Sequence, residues 1–137
     1  MRVHVYTDGA CWGNPGPAAI GVVVKDDSQK ILHQLSHYIG EGTNNQAEYR
    51  AVIAGLSAAL NLKAQDVVLY LDSELIMKQL SGEYKVKNRL LQPLFLQLLQ
   101  LKKKLGSLHI EHVGHYGNEE AHNLAKQALK NQSKNRK

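Results

Sequence analysis

The stretch that decides the fold is MRVHVYTDGACWGNPGP, from Met1 to Pro17. Residues 2–7 alternate apolar and polar side chains with a period of two, which predicts a β-strand. Asp8 ends that strand and leads into a glycine-rich turn over residues 9–17. Aspartate has little β-propensity, and Asp-Gly pairs are common in turns. The role of Asp8 therefore depends on the side chains that approach it from the rest of the chain.

Length and composition are those of one globular domain. The chain of 137 residues can bury a core without disulfides or structural metals. Cys11 is the single cysteine, which excludes an internal disulfide and a paired-cysteine zinc site and favours a reducing compartment. No apolar run approaches the roughly 20 residues of a membrane span, and Met1 leads into a strand, not a signal peptide. We therefore expect a cytoplasmic protein without membrane association.

Basic residues are concentrated at the carboxyl end. The net charge is +5, and residues 126–137 include several lysines and one arginine but no acid. We expect a single domain over residues 1–130 and a basic, disordered tail over residues 131–137. The positive charge permits a polyanionic partner but does not identify one.

The rest of the chain predicts the order βββαβα(α)βα. The expected strands cover residues 2–7, 19–25, 30–39, 67–71 and 108–113, and the expected helices follow Thr43, cover 74–80 and 90–105, and follow Asn118. Three strands joined by short loops predict an antiparallel meander. The apolar run 67–71 is expected to be buried on both faces. Strands that lead into helices require crossovers and parallel pairing, so the fold class is α/β, with a five-stranded mixed sheet flanked by helices.

Two acidic residues near predicted helix starts have local explanations. Thr43 and Gln46 have the spacing of a capping box, which would place Glu48 in the first helical turn, where the helix dipole favours an acid. Asp72 follows a strand, and either Asp72 or Ser73 can cap the next helix. Taken alone, each acid is explained by its neighbours in sequence.

Taken together, three carboxylates occupy equivalent places in the predicted fold. Asp8 ends the first strand, Asp72 ends the fourth, and Glu48 opens the helix between them. Ligands of open α/β sheets bind at the carboxyl ends of strands, and two adjacent parallel strands would bring Asp8 and Asp72 together. Three converging anions repel one another unless a cation lies between them. Oxygen ligands favour Mg²⁺ or Mn²⁺ over zinc.

A family resemblance spans Met1 to about Leu129. Its motifs, in chain order, are Asp8-Gly9-Ala10, Gly13-Asn14-Pro15-Gly16-Pro17, Thr43-Asn44-Asn45-Gln46-Ala47-Glu48, Asp72-Ser73 and Asn118-x-x-Ala121-x-x-Leu124-Ala125. Their order and separations resemble ribonuclease HI, in a short form without the basic handle or amino-terminal hybrid-binding domain of some members. The resemblance implies an RNase H-like fold and a metal-dependent endoribonuclease that cleaves the RNA strand of RNA/DNA hybrids, leaving 3′-hydroxyl and 5′-phosphate ends.

The resemblance also implies a cofactor and a partner. Asp8, Glu48 and Asp72 match the family's metal-binding carboxylates, which hold two Mg²⁺ or Mn²⁺ ions about 4 Å apart around the scissile phosphate. One ion would activate the attacking water, and the other would stabilise the leaving 3′ oxygen. The expected partner is an RNA/DNA hybrid, with no obligate protein partner and a monomeric enzyme.

Substrate-binding residues carry over in the same way. Three asparagines, in the glycine-rich turn and the first helix, match positions that read the minor groove, where 2′-hydroxyls distinguish RNA from DNA. A threonine and a fourth asparagine resemble the pocket for a phosphate of the DNA strand. The implied substrate-binding set is Gly13, Asn14, Thr43, Asn44, Asn45 and Asn88.

The chain departs from the family pattern at His122, where the resemblance places a fourth active-site acid. An imidazole replaces an anionic oxygen with a softer nitrogen. Three hypotheses follow: His122 ligates a metal and shifts the preference towards Mn²⁺, it accepts a water in the outer coordination sphere, or it cripples the site and leaves a module that binds hybrid or double-stranded RNA. His115 resembles a mobile-loop histidine that assists product release; its alternative is an exposed loop residue without a role.

Overall fold

The computed structural model describes residues 1–135, except for the side chains of residue 115 and residues 133–135. The strands are β1 (Arg2–Cys11), β2 (Gly16–Lys25), β3 (Ile31–Gly42), β4 (Asp66–Leu71) and β5 (Ser107–His112). The helices are α1 (Asn44–Asn61), α2 (Glu74–Leu80), α3 (Gln92–Lys104) and α4 (Glu119–Asn135), with a 3₁₀ turn at His115–Asn118. The expected order of elements is confirmed.

The last helix reaches further than the expected domain boundary at residue 130. It continues to Asn135, and residues 136–137 of the expected tail lie outside the described residues. No helix within the described range is both long enough and apolar enough to cross a membrane.

The sheet has the mixed topology that the sequence predicts. Its strand order is β3-β2-β1-β4-β5. β2 pairs antiparallel with β1 and β3, whereas β4 pairs parallel with β1 and β5. The carboxyl ends of β1 and β4 therefore lie at the same edge of the sheet.

β1 is longer than predicted. The sequence places its end at Asp8, but antiparallel pairing with β2 continues the strand to Cys11, with Asp8 opposite Gly21. The parallel register with β4 ends earlier, at the pair formed by Tyr6 and Tyr70. Asp8 thus lies inside β1 but beyond the point where β4 stops pairing with it.

The main core lies between the sheet, α1 and the helices that follow β4. α1 packs closely on β1, because a Cβ added at Gly55 would lie 2.7 Å from Val5 and 2.8 Å from Thr7. The leucines of α3 contribute as predicted: Leu91, Leu98 and Leu105 are buried, while Leu94 and Leu101 pack against the same core.

β4 is fully buried on one face only, although burial on both faces is predicted. Val68 and Tyr70 remain partly exposed on the other face. The reason is that α4 packs on β1, β2 and β3, further along the sheet. Tyr70 instead stacks on Tyr6 of the neighbouring strand, with ring centroids 4.4 Å apart.

Gly21 allows α4 to lie directly on the sheet. A Cβ at this position would lie 1.9 Å from the carbonyl oxygen of Ala121 and 2.8 Å from the amide nitrogen of Ala125. We expect Gly21→Ala to push α4 away and to lower the free energy of unfolding by about 1–3 kcal/mol, the usual cost of overpacking. Urea denaturation would measure this effect.

Gly114→Ala is the matched control for Gly21→Ala. Apart from Gly114 itself and its two chain neighbours, no described atom lies within 4 Å of a Cβ at Gly114, and its φ of −76° suits alanine. Its free energy of unfolding should stay within about 0.5 kcal/mol of the parent. Equal stability of the two variants would show that α4 does not need this close approach.

Candidate active site

Asp8, Glu48 and Asp72 converge at the carboxyl ends of β1 and β4. One oxygen from each lies within 4.8 Å of the others. Asp8 is only 2% exposed, and Glu48 and Asp72 are partly buried. Within the described side chains, this is the one group of three or more histidine, cysteine, aspartate or glutamate residues close enough to hold a metal ion. The convergence expected from the order of the elements is therefore observed.

Glu48 lies in the second turn of α1, not in the first as predicted. α1 begins at Asn44, and the capping box is present: Thr43 Oγ1 accepts the Gln46 N–H at 3.1 Å, and Gln46 Oε1 accepts the Thr43 N–H at 2.8 Å. The stabilising effect of the helix dipole falls off within the first turn. The dipole therefore does not account for an acid at Glu48.

Contacts with β1 hold Glu48 in place. The N–H of Gly9 donates to Glu48 Oε1 at 3.0 Å. A Cβ at Gly9 would lie 2.5 Å from the backbone of Ala47 and Glu48, so glycine permits this approach. Glu48 Oε2 is buried and accepts no hydrogen bond. A buried, unpaired carboxylate oxygen is costly, and a divalent cation beside it would satisfy it. The donor set thus fits a hard cation such as Mg²⁺ or Mn²⁺.

Burial and mutual repulsion raise the pKa values of two of the carboxyl groups. Burial raises the pKa of Glu48 well above its ordinary value, and the charges of Asp8 and Asp72 raise it further. Burial also raises the pKa of Asp8, with a further contribution from Asp72, while hydrogen bonds from His122 and Glu48 oppose the increase. The metal-free cluster therefore resists full ionisation, whereas a bound cation would favour the ionised form of the carboxyl groups.

In the metal-free protein, we expect Glu48→Gln to increase stability at pH 7 by about 1 kcal/mol, a typical gain for removing an unfavourable functional group. The melting temperature should rise by about 4 °C. The folded pKa of Glu48 is raised, so its carboxyl group favours folding below the unfolded pKa of about 4.3. That contribution is lost as the pH rises through the folded value. The gain from Glu48→Gln should therefore shrink as the pH falls.

Thermal melts in EDTA between pH 4 and pH 8 would measure this gain. Glu41→Gln is the control, because Glu41 is exposed and lies outside the cluster. A gain from Glu48→Gln that does not change with pH would contradict the predicted ionisation of the cluster.

His122 lies on α4 and forms a hydrogen bond with Asp8. Its Nδ1 atom is 2.7 Å from Asp8 Oδ2. When Asp8 is ionised, its carboxylate can only accept, and Nδ1 then donates the proton of this hydrogen bond. The group of oxygens within 4.8 Å does not include a His122 nitrogen. The structure thus adds one observation to the three hypotheses for His122: the imidazole bonds to an oxygen of Asp8, one of the three carboxylates that would hold a cation.

The glycine-rich turn docks on the amino terminus of α1. Asn14 Oδ1 accepts the N–H of Asn44 at 3.0 Å. Asn44 begins the helix, where N–H groups lack partners within the helix. Gly13 has a φ of 90°, which favours glycine at that position of the turn. Asn45 is the next residue of α1, and its side chain is exposed. The turn that contains Gly13 and Asn14 is thereby held against the start of the helix that carries Asn44, Asn45 and Glu48.

Three predicted site residues remain: Thr43, Asn88 and His115. Thr43 caps α1 next to Asn44. Asn88 precedes α3, and its Oδ1 accepts the N–H of Leu90 at 2.8 Å. The pairing of Thr43 with Asn88 around a phosphate stays a prediction. The side chain of His115 lies outside the described residues.

Asn118 has a contact that the sequence did not predict. It ends the 3₁₀ turn, and its side chain is buried and donates from Nδ2 to the Thr7 carbonyl oxygen at 2.7 Å. The pattern around Asn118 is typical of a helix cap, which does not reveal a partner on a distant strand. A buried amide cannot be distinguished from an exposed cap until the strand beside it is known.

Comparisons with known proteins agree with the fold. The family described as reverse transcriptase-like matches residues 6–128. Ribonuclease HI of Haemophilus ducreyi is 37% identical over 94% of this chain and 91% of its own length. The crystal structure of RNase H1 from Halobacterium salinarum NRC-1 is 40% identical with a TM-score of 0.93, covering 96% of this chain and 99% of that one.

A structure with nucleic acid is also similar, and some relatives are much longer. LC11-RNase H1 in complex with an RNA/DNA hybrid is 38% identical with a TM-score of 0.89, covering 95% of this chain and 98% of that one. The bifunctional protein Rv2228c of Mycobacterium tuberculosis is 39% identical over 94% of this chain, which spans only 36% of that protein. Sequence identity over nearly the whole chain and the shared fold lead to one conclusion: the chain belongs to the ribonuclease HI family.

Proposed function

We propose that this protein is a metal-dependent endoribonuclease that hydrolyses the RNA strand of RNA/DNA hybrids and leaves 3′-hydroxyl and 5′-phosphate ends. The observation that carries the proposal is the convergence of Asp8, Glu48 and Asp72 within 4.8 Å, with a buried Glu48 oxygen that accepts no hydrogen bond. Such a cluster is stable when a cation balances its charge. The hybrid complex of LC11-RNase H1 supports the choice of substrate.

The three carboxylates would hold Mg²⁺ or Mn²⁺. When bound, such ions supply an activated water and stabilise the leaving oxygen. The role of this chain is to hold the ligands in place before substrate arrives: β1 positions Asp8, the end of β4 positions Asp72, and the Gly9 N–H orients Glu48. Rigid positioning of charge is the main contribution a protein makes to phosphoryl-transfer reactions.

The hybrid would lie across the glycine-rich turn and the start of α1. We propose that Asn14, Asn44 and Asn45 read the minor groove, where amides can donate to and accept from 2′-hydroxyls. The hydrogen bond from Asn44 to Asn14 supports this role, because it holds the turn and the helix as one surface. Gly13 gives the turn its shape.

The other proposed contacts concern phosphate and product. Thr43 uses a lone pair of Oγ1 to cap α1, so its hydroxyl proton can be donated to a phosphate of the DNA strand. Asn88, beside the basic residues Lys87 and Arg89, would complete that pocket. His115 would assist product release. The protein would act in the cytoplasm as a monomer without an obligate protein partner.

A second candidate function is a module that binds hybrid or double-stranded RNA without cleaving it. The observation that favours it is the 2.7 Å hydrogen bond between His122 and Asp8. This contact engages one oxygen of a proposed ligand and places an imidazole ring where the resemblance predicts an acid. If catalysis persists, the same contact favours Mn²⁺, which accepts nitrogen ligands more readily than Mg²⁺ does.

Cleavage of a labelled substrate distinguishes the two functions. The purified protein would be incubated with hybrid, single-stranded RNA and double-stranded RNA in Mg²⁺, in Mn²⁺ and in EDTA. We expect cleavage of the hybrid in a divalent metal, none in EDTA, loss of activity in Asp72→Asn and normal activity in Glu111→Gln, an exposed acid outside the cluster. Hybrid binding without cleavage would favour the second function, and cleavage by Asp72→Asn would contradict the assigned site.

A further inference from the structure

Asn118 connects the start of α4 to the residue before Asp8. Its side chain is 2% exposed, and Nδ2 donates to the carbonyl oxygen of Thr7 at 2.7 Å. Thr7 is itself fully buried. The contact joins residues 111 positions apart in the chain, so it fixes tertiary structure and not a local turn.

The Thr7 carbonyl lies where β1 loses a neighbour. The parallel register between β1 and β4 ends at Tyr6 and Tyr70, one residue earlier. The 3₁₀ turn His115–Asn118 packs against both strands at this place. Asn118 therefore supplies a side-chain donor to a buried carbonyl just beyond the end of the ladder, where an unpaired carbonyl would be costly.

One helical turn later, the same segment reaches Asp8. Asn118 and His122 are four residues apart, which places them on one side of a helix. Asn118 contacts Thr7 and His122 contacts Asp8, so two adjacent residues of β1 are held by two successive turns of the chain. A shift at Asn118 would move His122 and change the contact that Asp8 makes.

The chemistry of this contact requires a donor. A backbone carbonyl only accepts, so the amide nitrogen of asparagine suits it, whereas an aspartate of the same shape would present a second acceptor. Asn118 Oδ1 is buried and accepts no hydrogen bond. Among the described residues, the hydrogen bond of this buried side chain is therefore the one that its nitrogen donates to Thr7.

We propose that Asn118 is a positioning residue for the metal-binding carboxylates, acting through Thr7 and α4 to set the placement of Asp8 and His122. The proposal rests on the proposed function of the site. Asn118 itself contacts neither substrate nor metal. Asn118 would therefore act like other residues that orient metal ligands without binding the metal. Replacing such a residue typically lowers metal affinity or activity by about 10–100-fold.

The test compares Asn118→Ala, Asn118→Asp and Ser36→Ala with the parent. Ser36 is the matched control, because its Oγ donates to the Leu124 carbonyl oxygen at 2.6 Å and so ties α4 to β3, which β2 separates from β1. Three quantities would be measured: the ¹⁵N chemical shift of His122 Nδ1 in the metal-free protein, the Kd for Mn²⁺ by calorimetry, and kcat and KM for hybrid cleavage.

In Asn118→Ala we expect the His122 resonance to move, the Kd for Mn²⁺ to rise about 10-fold and kcat to fall by a similar factor, with KM changed less than about twofold. Asn118→Asp should show the same changes or larger ones. Ser36→Ala should leave all three quantities at parent values, since its tether does not reach β1.

An unchanged His122 resonance and an unchanged Mn²⁺ affinity in Asn118→Ala would overturn the proposal, whether or not the parent cleaves RNA. Equal changes in Ser36→Ala would also overturn it, because any loosening of α4 would then suffice. Changed resonance and affinity in a protein that never cleaves hybrid would support the positioning role and refute only the proposed function. If Asn118→Asp does not fold, Asn118→Ala decides the question.

Discussion

Asp8→Asn is expected to reduce hybrid cleavage by about 10³-fold or more, the scale on which removal of one member of a catalytic group acts. Asp8 is the most buried of the three carboxylates, and its neighbours Glu48 and Asp72 lie within 4.8 Å of it. An amide keeps the shape of the side chain but removes the charge that a divalent ion requires. The remaining two carboxylates would bind such an ion weakly.

The same substitution should leave the fold and substrate binding nearly intact. Removing one of three clustered charges relieves repulsion, so the melting temperature of the metal-free protein should not fall. The hydrogen bond between Asn14 and Asn44 does not involve Asp8, so hybrid affinity should stay within about threefold in a buffer without divalent metal.

Single-turnover cleavage, gel-shift binding and thermal melts would measure these three properties of Asp8→Asn. Asp27→Asn provides a matched control, because Asp27 is exposed and lies outside the cluster. Cleavage at the parent rate by Asp8→Asn would refute the assignment of the site. Loss of both cleavage and folding would show that Asp8 has a structural role.

His122→Asp is expected to have the second largest effect, a gain of about 10-fold or more in Mg²⁺-dependent cleavage. In the parent, the imidazole holds Asp8 Oδ2 at 2.7 Å. Replacement by a carboxylate would free that oxygen and add a fourth anionic ligand, and Mg²⁺ prefers oxygen to nitrogen. The Kd for Mg²⁺ should fall accordingly, and activity in Mn²⁺ should change less.

His122→Ala separates the hypotheses for this residue. If the imidazole ligates Mn²⁺, the alanine variant should lose affinity for Mn²⁺. If the imidazole only competes for Asp8, the alanine variant should bind Mg²⁺ more tightly than the parent. Calorimetric Kd values for both ions would decide, with His109→Ala as a control because His109 is exposed on β5. Identical Mg²⁺ affinity and activity in the parent and in His122→Asp would contradict the expected gain.

Much of the fold was predictable because local patterns specify it. Alternation along the strands and spacing along the helices are properties of neighbouring residues, and they predicted the order of elements and the mixed sheet correctly. The capping box of Thr43 and Gln46 formed as expected, since both partners lie within one helical turn. The leucines of α3 were correctly assigned to the core for the same reason.

The errors arose where another segment decides the outcome. β1 extends through Asp8 because β2 pairs with it, and no pattern within β1 reveals that partner. Val68 and Tyr70 are partly exposed because α4 lies over other strands. A helix follows Asn118 as expected, but the distant acceptor of its side chain, Thr7, could not be identified from the sequence.

The amino-acid sequence by itself determined which chemical groups are available and in what order: three acids near the ends of predicted elements, a glycine-rich turn, asparagines beside it, and His122 at the position where the resemblance to ribonuclease HI predicts an acid. The tertiary structure alone decided that Asp8, Glu48 and Asp72 lie within 4.8 Å, that burial raises the pKa of Glu48, and that His122 bonds to Asp8. The physical reason is that charge repulsion, desolvation and hydrogen bonding depend on distance through space, and His122 and Asp8 are 114 positions apart in the chain.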